Sequence, residues 1–267
     1  MTTSKESSQT TADSTPHDAD LLSSCVHCGL CLEVCPTYKL SGDENNSPRG
    51  RLRLWREESE GKLAADTWTD FYTAECVGCL ACESACPANV PYGEIFEHVR
   101  HEHVSTGRAN PGVLLRTAAA LASRQSLFNL AMLPARLLRR VGWLPHRFLF
   151  RGTPAAIQST ASYARKLMRQ RRPTGPRVAL LTGCLMESLF REINFATVRV
   201  LIENNVQVFI PDGQGCCGAF QEHTGMEGVE PLRKRNQVAF GSQQFDAILS
   251  NSSGCGHALG KALPASP

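Results

Sequence analysis

Two stretches, "CVHCGLCLEVCP" at 25–36 and "CVGCLACESACP" at 76–87, repeat one pattern: three cysteines at intervals of three, a fourth four residues later, then proline. Three thiolates at that spacing can meet one face of a cubic iron–sulfur cluster. In two-cluster ferredoxins the fourth cysteine of each run ligates the other run's cluster. Cys25, Cys28, Cys31 and Cys86 would then hold one [4Fe-4S] cluster, and Cys76, Cys79, Cys82 and Cys35 the second. Gly29 and Gly78 leave little side-chain bulk in the loops, so backbone N–H groups can reach the sulfurs. Zinc also takes four thiolates, but two complete runs each closed by Cys-Pro favour clusters. The 40 residues between Cys35 and Cys76 are rich in helix formers, which points to a helical two-cluster fold rather than a compact βαβ one.

The twelve cysteines of this 267-residue chain sit in tight sets instead of being spread as disulfide staples, a usage that fits metal ligation in a reducing compartment. The polar residues 1–20 fit neither a secretory signal nor a transit peptide and are expected to be a disordered tail of a cytoplasmic protein. The helical two-cluster domain is expected over 21–105, with a connector helix opened by Pro48 and closed by Gly61. Residues 106–174 read as a linker of short amphipathic helices interrupted by Pro134 and Pro145. From 175 to 267, strands ("RVALLTG", "VQVFIP", "AILSNS") alternate with helices, implying a parallel sheet. The expected fold class is therefore α+β and multidomain: a mainly α-helical two-cluster ferredoxin-type domain, a helical linker and an α/β cysteine-rich domain.

The cysteine-rich domain carries a second thiol set. Cys184, the pair Cys216 and Cys217, and Cys255 each fall just beyond an expected strand, at the carboxyl edge where open α/β sheets gather their sites. Gly215 and Gly218 permit a turn that aims the adjacent pair at one metal. A further iron–sulfur cluster is one occupant; zinc, held by the four thiols or with His257 in place of one, is the other.

The net charge of +3 conceals a division. Between His103 and Met186 there are fourteen Arg or Lys and no acid, leaving fourteen cations against all 25 acids elsewhere. The cations are threaded among Leu, Phe and Trp at helical spacing, which suits an anionic membrane surface or an acidic partner rather than nucleic acid. The uncharged run 125–135 is too short to span a bilayer core that needs about 20 residues. His98, His101 and His103 read as a solvated helix face without a cage of ligands. No Gly-rich phosphate loop follows a strand.

The set "CVHCGLCLEVCPTYKLSGDENNSPRGRL", "CVGCLACESACPANVPYG", "TGC", "GCCGAF" and "SSGCG" resembles the iron–sulfur subunits of bacterial glycolate oxidase (glycolate dehydrogenase) from about residue 20 onward. It is more loosely similar to iron–sulfur proteins of lactate utilisation, of anaerobic glycerol 3-phosphate dehydrogenase and of heterodisulfide reductase. The resemblance implies a flavoprotein (FAD) partner that oxidises glycolate, with this chain passing electrons through two [4Fe-4S] clusters toward a quinone or another acceptor. It implies cluster ligation by the eight cysteines above and a cysteine-rich (CCG) site at Cys184, Cys216, Cys217 and Cys255, with no catalytic residue here. The polar first residues and the cationic helices, rather than the resemblance, are what suggest a cytoplasmic protein peripheral on the inner face of the cell membrane. Two departures stand out: a second CCG repeat, usual in such proteins, is not in this sequence, and Ala258 stands where some CCG sets have a further cysteine.

Overall fold

A computed structural model describes residues 16–64, 67–140 and 158–263. The chain divides after Ala109 into two compact units.

The first unit is all helix among its described residues: α1 (Pro16–Ser23), α2 (Pro36–Ser41), a single 3-10 turn (Glu44–Asn46), α3 (Pro48–Ser59), α4 (Thr67–Glu75), α5 (Ala81–Ser84) and α6 (Tyr92–Ser105). The expected tail covers 1–20; 1–15 lie outside the described residues, while from Pro16 the chain is helical, because α1 carries Leu22 into the core. The stretch "SGDENNSPRGR" is a series of stops and starts. Gly42 ends α2 in the left-handed region (φ 67°), its N–H donating to the Tyr38 carbonyl at 2.8 Å. Asp43 caps the 3-10 turn by accepting from the Asn45 N–H, and Ser47 caps α3 by accepting from the Gly50 N–H at 3.0 Å. Pro48 occupies the first turn of α3, where its missing N–H costs nothing. Gly50 is required sterically, because a methyl group there would run into the Glu44 carbonyl. The core joins Leu22, Leu52, Trp55, Val90, Tyr92, Ile95 and Phe96, with Trp55, Tyr92 and Phe96 in mutual ring contact.

Two of the three histidines expected on a solvated face are solvent-facing. His98 and His101 are exposed, but His103 is 3% exposed and its Nδ1 lies 3.2 Å from Asp70 Oδ1. Arg108 completes that cluster, donating to Asp70 at 2.6 Å and to Glu58.

The second unit contains α7 (Gly112–Ser123), α8 (Gln125–Ala131), α9 (Leu133–Arg140), α10 (Thr160–Arg171), β1 (Arg177–Leu181), α11 (Cys184–Leu189), α12 (Arg191–Glu203), β2 (Gln207–Phe209), α13 (Ala219–His223), α14 (Glu230–Gly241), β3 (Ala247–Ser250) and α15 (Ser253–Ala262). The sheet is parallel with β1 central, in the order β2-β1-β3; Ala179 pairs with Phe209 on one side and Ile248 on the other. A strand in that position buries both faces, which explains the unbroken apolar run "VALL". Alternation sends Ala179 and Leu181 toward Ala239, Phe240, Ala258 and Leu259, and sends Leu180 toward Ala164, Val198 and Ile202. Helices thus cover both faces. Of the stretch read as a linker, α7 to α10 belong to this unit, and its residues 141–157 lie outside the described ones.

Candidate metal centres

The two cysteine loops of the first unit share one backbone path. Each places residues in the left-handed region at the same two offsets, His27 (φ 55°) and Gly29 (φ 86°) in one, Gly78 (φ 65°) and Leu80 (φ 56°) in the other. Both runs therefore curl alike although the glycine sits at a different offset in each. The curl of the first brings Cys25, Cys28 and Cys31 around a recess that Cys86 and Cys82 of the second run also line. Arg49, from the α3 motif, lines the recess and donates to the His27 carbonyl at 3.0 Å. Cys35 is buried and lies 3.2 Å from Thr37 Oγ1. Tyr92 donates its hydroxyl hydrogen to Cys76 Sγ at 3.5 Å, and Arg100 donates to the Cys76 carbonyl at 3.0 Å. Cys28 and Cys79 are the exposed members.

Burial, then neighbouring thiols, pushes Cys31 and Cys82 above the ordinary thiol range. Bare, they are neutral at pH 7, and metal binding must displace their protons. Thr37, Arg51 and Asn46 were not singled out by sequence reasoning. The Arg51 guanidinium, 1% exposed, donates to the Asn46 carbonyl (2.7 Å), Asn46 Oδ1 (3.1 Å), Thr37 Oγ1 (3.2 Å) and the Tyr72 carbonyl (2.6 Å). That network fixes the Cys35 end of the first run.

In the second unit the four thiols come together at the carboxyl edge of the sheet. Cys184 neighbours Cys216, Cys216 neighbours Cys217, and Cys217 neighbours Cys255, so that the thiols form a row. Cys184 opens α11, Cys216 and Cys217 precede α13, and Cys255 lies in the first turn of α15. Three helix N-termini thus gather where thiolate charge is favoured. The Leu185, Gly218 and Ala219 N–H groups face Cys184, Cys216 and Cys217 and favour their thiolates. The neighbouring Cys184 and Cys217 thiols hold Cys216 well below the ordinary thiol range, while those two are driven up. Hydrogen bonding from Cys217 lowers Cys255 to about 7. Gly183 (φ 67°) lets β1 turn into α11 beside Cys255; a Cβ there would sit 4.0 Å from that sulfur.

Asn236 clamps the Cys216 loop, accepting from the Gly215 N–H and donating to the Cys216 carbonyl, each at 3.0 Å. Gln214 ties the same loop to β1, accepting from the Thr182 N–H at 2.8 Å and donating to the Leu180 carbonyl at 3.2 Å. The sequence signal for Asn236 is a polar residue on the face of α14 that otherwise buries Leu232, Ala239 and Phe240. The α7–α8 hairpin covers the thiols from outside the sheet: Ala122 packs on Cys184 and Cys216, and Gln125 donates to the Cys184 carbonyl at 3.3 Å.

Among the described residues no group of three or more His, Cys, Asp or Glu side chains is set to hold a single metal ion. The donor chemistry fits iron–sulfur clusters: thiols from two loops around one recess, and a buried thiol row served by backbone amides. His257 contributes a buried Nε2 with no hydrogen-bond partner and stands two residues from Cys255, outside the thiol row. Among the described residues no helix is long and apolar enough to cross a membrane.

Residues 21–90 match the 4Fe-4S dicluster domain and residues 178–260 the cysteine-rich domain. The first match bears out two [4Fe-4S] clusters in the first unit. The chain is 32% identical to the probable glycolate oxidase iron-sulfur subunit of Bacillus subtilis (strain 168), over 96% of this chain and 62% of that protein. It is also 32% identical to the glycolate oxidase iron-sulfur subunit of Escherichia coli (strain K12), over 88% of this chain and 57% of that protein. A third relative, at 27% identity over 92% of this chain and 45% of its own length, is a fumarate reductase (CoM/CoB) subunit from Methanothermobacter marburgensis. The chain thus spans about three fifths of the length of the first two. No solved structure matches it. Matching a 4Fe-4S dicluster domain and a cysteine-rich domain, the chain is over most of its length similar to the glycolate oxidase iron–sulfur subunits.

Proposed function

We propose that this chain is the electron-transfer subunit of a glycolate dehydrogenase, in which a partner flavoprotein (FAD) oxidises the 2-hydroxy acid and the electrons leave toward a quinone. The observation that carries the reading is the recess lined by Cys25, Cys28, Cys31 and, from the other run, Cys86. In this reading those four thiolates hold one [4Fe-4S] cluster and Cys76, Cys79, Cys82 and Cys35 the other. Such clusters, when bound, supply reversible one-electron transfer, a capacity that no side chain here offers. The protein's own part is to fix the sulfurs, through the Arg51 network and the Tyr92 and Arg100 contacts, and to leave Cys28 and Cys79 at the surface, where a partner's cofactor can approach. Cys184, Cys216, Cys217 and Cys255 hold a third metal centre in this reading.

The cation-rich segment carries exposed Val113, Leu114, Leu130, Leu137 and Leu138. Exposed apolar residues in a segment without acids support peripheral attachment to the anionic inner face of the cell membrane, where a quinone is reached from the cytoplasm. A second reading, a subunit of the heterodisulfide reductase type acting at the third site, is favoured by the buried row of free thiols.

The test is anaerobic purification with iron, sulfide and zinc analysis and identification of bound subunits. Expected are iron and sulfide for two cubane clusters, a co-purifying flavoprotein, and glycolate-dependent dye reduction only when that flavoprotein is present. Glycolate turnover by this chain alone, or zinc without iron, overturns the proposal. Reduction of a disulfide by the isolated chain decides for the second reading.

A further inference from the structure

Two cubane clusters in one small fold exchange electrons, and which one keeps the electron depends on what differs around their sulfurs, hydrogen bonds foremost. The two runs curl alike, but their sulfurs meet different donors: the Val90 N–H donates to Cys86 Sγ at 3.5 Å, whereas the Lys39 N–H at the same offset donates to the Cys35 carbonyl, and the side chains differ as well. Six residues beyond the last cysteine of the second run stands Tyr92; the same offset in the first run is Ser41. The Ser41 hydroxyl donates to the Thr37 carbonyl at 2.9 Å and accepts from the Asp43 N–H, so it is committed to the end of α2. The Tyr92 hydroxyl donates to Cys76 Sγ.

A hydroxyl has one hydrogen, and this rule separates Tyr92 from its nearest rival. Thr37 Oγ1 lies 3.2 Å from Cys35 Sγ, but its hydrogen goes to the Asn46 carbonyl at 2.8 Å while it accepts from Arg51. It has none left for sulfur. Tyr92 is 3% exposed and its ring is wedged between Trp55 and Phe96, at centroid distances of 5.7 and 6.1 Å. The ring also lines the recess of Cys25, Cys28, Cys31 and Cys86. It therefore touches both cysteine sets and gives a hydrogen to only one.

We infer that Tyr92 tunes one cluster of the pair: its O–H···S bond to Cys76 favours the reduced form of the cluster held by Cys76, Cys79, Cys82 and Cys35, set against the Val90 N–H bond to Cys86 that favours the other. The inference depends on the ligand sets proposed above. Reduction adds negative charge that spreads onto the cysteine sulfurs, and a hydrogen-bond donor aimed at one of them stabilises that charge. Tyr92 is a positioning and tuning residue, not a ligand.

The test is an anaerobic redox titration followed by electron paramagnetic resonance, on the wild type and on Tyr92→Phe, with Cys76→Ser used to mark the signal of the Cys76 cluster. Iron and sulfide for two clusters in both proteins keep the ligand reading intact. Against that background Tyr92→Phe should weaken reduction of the Cys76 cluster about tenfold, about 59 mV downward for one electron, and leave the other midpoint unmoved. Phe96→Leu, which loosens the ring stack without touching the hydroxyl, should move neither. Should Tyr92→Phe not assemble, 3-fluorotyrosine at position 92 keeps the ring, makes the hydroxyl a stronger donor, and should raise the same midpoint. Equal shifts of both clusters, an unmoved Cys76 cluster, or the same fall in Phe96→Leu overturns the assignment. A wild-type protein lacking two clusters overturns the ligand reading itself, and the inference with it.

Discussion

The first unit presents its thiols on loops and the second at the ends of strands. In the loops, tight left-handed turns do the positioning, two cysteines of the eight are exposed, and Cys82 and Cys86 of the second run line the recess of the first. At the sheet edge, three helix N-termini deliver the thiols, three of the four are buried, and side-chain clamps such as Asn236 hold the connecting loop. Loop sites leave a metal's edge open for electron exchange, whereas a buried thiol row under α7 and α8 suits chemistry that must exclude water. One chain has been given both.

Ligand removal gives the largest effect and breaks the comparison most directly. Cys86→Ala should abolish the cluster signal that Cys25→Ala also abolishes and spare the one dependent on Cys76, as seen by electron paramagnetic resonance. Loss of the Cys76-dependent signal instead would mean that each run closes its own site. Cys216→Ala should leave both signals unchanged, since its row lies in the other unit.

Next comes Gly50→Ala, which forces a methyl group against the Glu44 carbonyl in the turn that sets the Cys35 end of the first run. Overpacking of this kind costs about 3 kcal/mol, read as a lower urea midpoint for the first unit. An unchanged midpoint would show that the 3-10 turn yields easily. Asn236→Ala is the corresponding probe of the sheet-edge site. It strands the buried Gly215 N–H and Cys216 carbonyl at a cost of about 2 kcal/mol, and should lower the second unit's stability and its metal uptake while leaving the first unit's clusters alone. Metal uptake equal to wild type would remove Asn236 from the site's support.

The smallest effect is a pH dependence confined to the first unit. Burial, followed by the neighbouring Arg108, lowers His103 from 6.5 to about 4 against the opposing pull of Asp70. The folded form therefore keeps His103 neutral while the unfolded chain takes up a proton below pH 6.5. Stability is present above that value and is lost as pH falls toward 4. Between pH 7 and pH 6 the loss should be on the order of 1 kcal/mol or less, and His103→Gln should flatten that slope in parallel urea titrations. An identical slope in the variant would place the titrating group elsewhere.

The cysteine runs, the helical character of the first unit and the parallel strands of the second were legible because each is written in local spacing. What escaped the sequence depends on distant partners. His103 sits in a helix of otherwise ordinary pattern, and only Asp70 and Arg108 explain its burial. The cover that α7 and α8 place over Cys184 joins residues far apart in the chain through Gln125 and Ala122. Arg51 reads as one more surface cation until four oxygens are found around it. Tyr92 is adjacent to a motif, but nothing in the motif says which of two clusters it would favour.

Because β1 is the middle strand, Cys184 is made first yet cannot meet its partners until the strands on either side of it have docked. During synthesis, at roughly 5–20 residues per second, that thiol waits while β2 and then β3 emerge. Cys255 follows β3 almost at once, so docking of the last strand and completion of the thiol row become a single event. A correctly ordered sheet is thereby the condition for completing the thiol row.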